Sequence, residues 1–361
     1  MQQWARFAIL GAMFVVAYLL ILAWQKDYGH AAPAPQQQAA AVTAHEVSAD
    51  LPNAQNATAA SDLPQANVTA SQTTEHNTSV SQQLISVQTD LYHLWINPKG
   101  GDIVRIELLS HDESKDSDKP FVMLESDAKR TYVAQSGLIG LNGPDSSRGG
   151  RPMYDVEKTA YTLADAKSVA SKDGKTHQVL TVPLVFKTPE GVEVIKSFTF
   201  TQGDYPITVK HQVVNRSQQN WQGQMFGQLK RDNSDDPGKS SQGIFTLGTY
   251  LGGAWGTPEE PYNKLKFANF NDEKLNVEAK GGWVAMVQHY FVSAWIPGNL
   301  KLTQADGQPY TAKLESRQSA DGMNIMGFTS PVINVPAGTS MEVDAKLYSG
   351  AKIQSELKDL A

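Results

Sequence analysis

The chain contains no cysteine, which excludes a disulfide framework, a thiolate metal site and a cysteine nucleophile. No Phe, Trp or Tyr occurs between Tyr28 and Tyr92, and no Lys or Arg between Lys26 and Lys99. A stretch that polar and that poor in large apolar groups cannot repay its ordering entropy. Residues 26–83 therefore read as a disordered tether of Ala, Gln, Ser, Thr, Asn and Pro, with roughly 40 Å of flexible reach. Three Asn-x-Ser/Thr sequons begin there, at Asn56, Asn67 and Asn77, and chance accounts for them in so Asn-, Ser- and Thr-rich a segment. A basic excess is also missing. With 31 basic against 37 acidic residues and a net charge of −6, nucleic acid is excluded as a partner, because it demands a basic face.

One long apolar run is present. Phe7–Trp24 is free of charge over eighteen residues, about 27 Å as a helix, against roughly 30 Å of bilayer hydrocarbon. Trp4 and Trp24 flank it where indoles favour the membrane interface, and Arg6 makes the leading side positive. The positive-inside rule puts residues 1–6 in the cytoplasm, a transmembrane signal-anchor helix at 7–25 and the body outside. Gly29-His30-Ala31 offers a cleavage pattern, but the apolar run exceeds the 7–15 residues usual for a cleaved signal.

Residues 84–350 are long enough to bury a core and read as strands. Val192, Val194, Phe198 and Phe200 share a face, with Lys196 interrupting; Ile207, Val209 and Val213 do likewise. Turn signals recur at Asn142-Gly143-Pro144, Asp173-Gly174, Asp306-Gly307, Asp321-Gly322 and Pro336-Ala337-Gly338. Val284–Pro297 carries Gln288 and His289 and is too short to span a bilayer, so it reads as one or two buried central strands. A soluble helix is expected only at Ala351–Leu360, where Ile353, Leu357 and Leu360 share a face. Many strands without a βαβ rhythm indicate a mainly β, antiparallel sandwich.

Chemical motifs are sparse. Gly174-Lys175-Thr176 resembles the end of a phosphate loop, but the first glycine would fall at Val169, and the site reads as a hairpin turn. Asp232-Asn233-Ser234-Asp235-Asp236 resembles a calcium loop, but Pro237 and Gly243 stand where Gly and Glu belong. Neither a Gly-x-Ser-x-Gly elbow nor a His-Glu-x-x-His occurs. Of eight histidines, His30, His45 and His76 lie in the tether, leaving His93, His111, His177, His211 and His289 for a folded site. No catalytic, cofactor or metal residues are assigned. Gly248–Gly256, with Tyr250 and Trp255, and Gly281-Gly282-Trp283 read either as a groove for a ligand or partner, or as aromatics capping the core at a sheet corner.

Six stretches, Asn97–Asp102 (NPKGGD), Ala134–Asp145 (AQSGLIGLNGPD), Arg151–Ala160 (RPMYDVEKTA), Gly227–Lys230 (GQLK), Thr257–Phe267 (TPEEPYNKLKF) and Lys280–Pro297 (KGGWVAMVQHYFVSAWIP), resemble the YidC-type membrane protein insertases of Gram-negative bacteria. The resemblance covers the whole chain, the tether in character only. It implies a β-supersandwich of the galactose-mutarotase-like kind, closed by a C-terminal helix at 351–361 and lying in the periplasm at the bacterial inner membrane. It implies insertion and folding of nascent inner-membrane proteins, alone or beside the Sec translocon and its accessory subunits, at the lipid bilayer, without a cofactor or a bond-making step. The family's working part, a five-helix bundle with a hydrophilic, arginine-bearing groove, lies outside this sequence. This region would then be accessory, docking partners. The alternative is a membrane-tethered sugar-binding or mutarotase-like protein, which needs a His and a carboxylate at hydrogen-bond reach of one sugar.

Overall fold

Alternation of apolar and polar residues becomes alternation of burial. Ile207, Val209, His211, Val213 and Asn215 point inward along Ile207–Asn215, and their neighbours are half-buried. In this computed structural model the described residues are 83–353, except 115–116, 146–149, 171–173, 238–249, 251 and 303–306. The expected anchor helix and tether, residues 1–82, lie outside them.

Among the described residues, two sheets of 11 strands each form the sandwich. The first runs from Asn276–Lys280 through Thr311–Gln318, Asn324–Thr329, Trp221–Arg231, Thr131–Ile139, Pro120–Ser126, Asp102–Asp112, Tyr92–Asn97 and Ile85–Gln88 to Ala160–Thr162. Ile333–Val335 joins it beside Trp221–Arg231. The second runs from Asn263–Lys266 through Gly252–Gly256, Trp283–Val287, Phe291–Leu302, Ser340–Ala351, Ile207–Asn215, Val192–Thr201 and Thr176–Lys187 to Asp155–Val156. Lys167–Ala170 and Gln308–Pro309 attach at its side. Every pairing is antiparallel except that of Ile85–Gln88 with Ala160–Thr162.

Between the sheets lies one large apolar core. Phe121 stacks on Phe291 at 4.1 Å, and Trp295 meets Phe328 edge-on at 6.1 Å. The Tyr92 hydroxyl, buried against the opposite sheet, lies 2.7 Å from the carbonyl oxygens of both Tyr205 and Ser349 and shares its one proton between them. Contacts of this size make core aromatics worth about 3–5 kcal/mol each on truncation to alanine.

The expected strands at Val284–Pro297 are two, joined by a tight turn in which the Gln288 amide donates to the Phe291 carbonyl at 3.0 Å. Gly174, at φ +80°, turns the chain between Lys167–Ala170 and Thr176–Lys187, as the hairpin reading requires. The tail needs a correction at its start. Ala351 is the last residue of the strand Ser340–Ala351, because it pairs with Phe291, so no helix begins there. Residues 354–361, the remainder of the expected helix, lie outside the described residues.

Candidate functional site

Four of the motif stretches meet inside the sandwich. In Asn97–Asp102 the Asn97 side chain accepts the Lys99 amide at 2.9 Å, and Gly100 and Gly101 follow at φ +79° and +64°. Only glycine adopts two successive left-handed conformations without strain. A Cβ on Gly101 would also lie 2.9 Å from Cδ of Lys196. In Ala134–Asp145 the Leu138 amide donates to Asp145 Oδ2 at 2.7 Å, folding the aspartate back over its own strand.

Arg151 holds these pieces together. Its Nη1 donates to Asp145 Oδ1 at 2.5 Å, and its Nη2 donates to Asp102 Oδ1 and, at 3.2 Å, to the carbonyls of Gly100 and Ser136. From the opposite sheet Lys196, fully buried, donates to the same two carbonyls at 3.0 and 2.8 Å. Gln135 donates to Asp102 Oδ2 at 2.9 Å, and Gln228 of the Gly227–Lys230 stretch donates to Gln135 at 2.9 Å. Two cations face two carboxylates, so the cluster is neutral when all four are charged. Burial pushes the Asp145 carboxyl up to about 6 against the pull of Arg151, and pulls the Lys196 ammonium down to about 7. His211, the strand partner of Lys196, is held well below its ordinary value by burial and then by the nearby cations, so it is neutral. Neither of its ring nitrogens has a hydrogen-bond partner among the described residues. With its charges covered, the cluster can clasp two loops and two sheets.

A second buried group surrounds Arg231. Its guanidinium lies between the rings of Tyr132 at 5.0 Å and Phe267 at 5.9 Å and donates to Asp236 at 2.6 Å. Gln288 donates to the same oxygen at 2.8 Å. Asp236 is thus engaged by protein donors, and Asp232 by the amides of Thr131 and Ser234.

The candidate residues Tyr250, Trp255 and Trp283 do not share a face. Trp255 is two residues from Gly253, whose Cβ would run into Met326 of the opposite sheet, so Trp255 turns inward and packs on the core. Trp283 pairs in register with Gly256 and lies over it on the other side of the strand, 6.0 Å from the ring of Tyr262, and like Trp255 it is partly buried against core residues. Tyr250 is half-buried, its hydroxyl donating to the Gly253 carbonyl at 2.7 Å; burial pushes that phenol up to about 12. One His–carboxylate pair does form: His93 Nδ1 lies 3.6 Å from Glu107 Oε2. It belongs to a row of outer-face charges, with Arg105 bonded to both Glu107 and Glu125.

Away from these aromatics, a cleft of about 520 Å³ opens between the Thr188–Val192 turn and Ser217–Trp221, lined by Asn142, Glu190, Gln218, Gln219, Asn220 and Trp221 among others.

Sequence reasoning did not assign Asp102, Asp145, Arg151 or Lys196. The signal was present: Lys196 interrupts an apolar face, and a lysine pointing into a core needs buried partners.

A two-sheet antiparallel sandwich whose loops are clasped by buried charges defines the class. The chain belongs to the family of the YidC periplasmic domain, which matches residues 84–361. It is 40% identical over 357 residues to a membrane protein insertase YidC of Pseudomonas putida (strain GB-1), covering 99% of this chain and 60% of that protein. To that of Stutzerimonas stutzeri (strain A1501) it is 41% identical over 357 residues, with the same coverages of 99% and 60%. The chain thus spans about three fifths of the length of these curated relatives. Among solved structures, a galactose mutarotase related enzyme from Lactobacillus acidophilus superposes with a TM-score of 0.45 at 10% identity, over 75% of this chain and 100% of that one.

Proposed function

We propose that this chain is the anchored, exported part of an inner-membrane protein insertase, with residues 84–350 as its accessory periplasmic domain. The observation that carries this reading is the family match over residues 84–361, joined to relatives named as insertases across 99% of the chain. In this reading residues 7–25 hold the chain in the bilayer with residues 1–6 in the cytoplasm. The domain docks Sec translocon subunits and nascent inner-membrane proteins and makes or breaks no bond. The amide-walled cleft supports the docking role, since Asn and Gln side chains can pair with the peptide groups of an extended segment. Tyr250, Trp255 and Trp283 are proposed contact residues, Trp255 acting through the packing beneath the surface.

The test is immunoprecipitation from inner membranes with an antibody against residues 84–361. A band well above 39.4 kDa, with Sec translocon subunits co-precipitating, is expected. A band at 39.4 kDa without those subunits would overturn the reading.

A further inference from the structure

The outer face of the second sheet carries a row of rings and ammonium groups in which two of the proposed contact residues, Trp283 and Tyr250, are continued by Tyr262, Lys264, Lys352 and Tyr290. Trp283 and Tyr262 lie 6.0 Å apart. The Lys264 ammonium follows, 5.9 Å from the Tyr262 ring and 5.2 Å from that of Tyr250. Lys352 continues the row: its ammonium is held below its usual range by burial and by the charge of Lys264, and its amide donates to the Tyr290 carbonyl at 2.9 Å. Tyr290 is 71% exposed and Tyr262 56%.

Three features of this row point to one occupant. Tyr and Trp have apolar bodies and polar tips, which suit the headgroup level of a bilayer better than a dry protein contact. Among the described residues no carboxylate forms an ion pair with Lys264 or Lys352, so two neighbouring cations face outward without a counter-charge. Lys352 also follows directly on the last strand, Ser340–Ala351, and its hydrogen bond to Tyr290 fixes a cation beside the most exposed ring of the row. We propose that Trp283, Tyr262, Lys264, Tyr250, Lys352 and Tyr290 form a contact surface for an anionic lipid bilayer. The inference rests on the insertase reading only in placing a membrane beside the domain.

Because the chain lacks cysteine, a single introduced thiol reports one site. The full chain, bearing Tyr290→Cys or Tyr262→Cys with a fluorescent label, is reconstituted into vesicles of equal parts phosphatidylglycerol and phosphatidylcholine. Val169→Cys, on the strand Lys167–Ala170 at the other side of the sheet, is the reference. The expected result is that labels at 290 and 262 lose access to iodide and are quenched by brominated lipid, while the label at 169 stays in water. Adding Lys264→Gln and Lys352→Gln should lower the ratio of contacted to free domain about 30-fold, the loss of two lysine–surface attractions. Thermal melting of the doubly substituted chain separates this effect from misfolding. Labels at 290 and 262 as open to iodide as that at 169 would overturn the proposal. So would equal protection in pure phosphatidylcholine, or protection in detergent without a bilayer, which would mean that the chain's own tail covers the row. No translocon is present in these vesicles, so either outcome leaves the immunoprecipitation result standing.

Discussion

Arg151 and Asp145 are joined by an N–H···O bond of 2.5 Å, with the Asp145 side chain fully covered and that of Arg151 12% exposed. The pair spans the loop after Thr131–Ile139, and Arg151 extends it to Asp102. Arg151→Ala would leave two carboxylates buried without their main counter-charge, a loss of about 3–5 kcal/mol. Arg151→Lys should recover only part of it, because an ammonium cannot fork between two carboxylates and two carbonyls as a guanidinium does. Urea unfolding of the three proteins measures this, and an alanine variant within about 1 kcal/mol of the parent would show that the clasp is not a major stabilising element.

Lys196 gives the fold a pH dependence with a definite sign. Its ammonium is pulled down to about 7 in the folded chain, from 10.5. Between those values the unfolded chain binds more protons than the folded one, so stability rises with pH across this window. The slope approaches about 1.4 kcal/mol per pH unit for one proton. Below pH 7 both states are protonated and this term no longer changes, leaving the charge-burial penalty in full. In Lys196→Met this slope should be absent. Denaturation midpoints of the parent and the variant at pH 7, 8 and 9 should therefore change in favour of the parent as pH rises; parallel curves would refute the assignment.

Burial alternation made most of the strands legible in sequence, since a period of two survives wherever one face meets the core. Lys196 and His211 were legible only as interruptions of that pattern. The charges around them, on Asp102, Asp145 and Arg151, lie far away in sequence, and local spacing carries no information about which segments will converge. The aromatic candidates show the same limit. Trp255 and Trp283 were visible as large side chains beside glycines, but which face each takes depends on register: Trp283 lies opposite Gly256, and Trp255 opposite Val284.

Two glycines at positive φ separate backbone strain from crowding. Gly174, at φ +80°, has open space where a Cβ would go, so Gly174→Ala should cost only the left-handed penalty of about 1–2 kcal/mol. Gly101, at φ +64°, has Lys196 Cδ within 2.9 Å of that position. Gly101→Ala should add about 1–3 kcal/mol of overpacking and push the lysine off its two carbonyls. Combining Gly101→Ala with Lys196→Met should be less costly than the sum, and a double-mutant cycle reads that coupling directly.

The two tryptophans should fail differently because they occupy opposite faces. Trp255 packs on the core, partly buried, so Trp255→Ala should cost about 3 kcal/mol, the low end for a buried aromatic. Trp283 also touches the core along one edge, but it covers Gly256 and neighbours Tyr262 on the outer face; Trp283→Ala should cost less, about 1–2 kcal/mol. In the vesicle assay the order should reverse. Trp283→Ala should lower lipid contact of the label at 290, whereas Trp255→Ala, compared at equal folded fraction, should leave it unchanged. If both variants lost stability equally and neither altered contact, both indoles would be core caps and the outer row would have to bind lipid without Trp283.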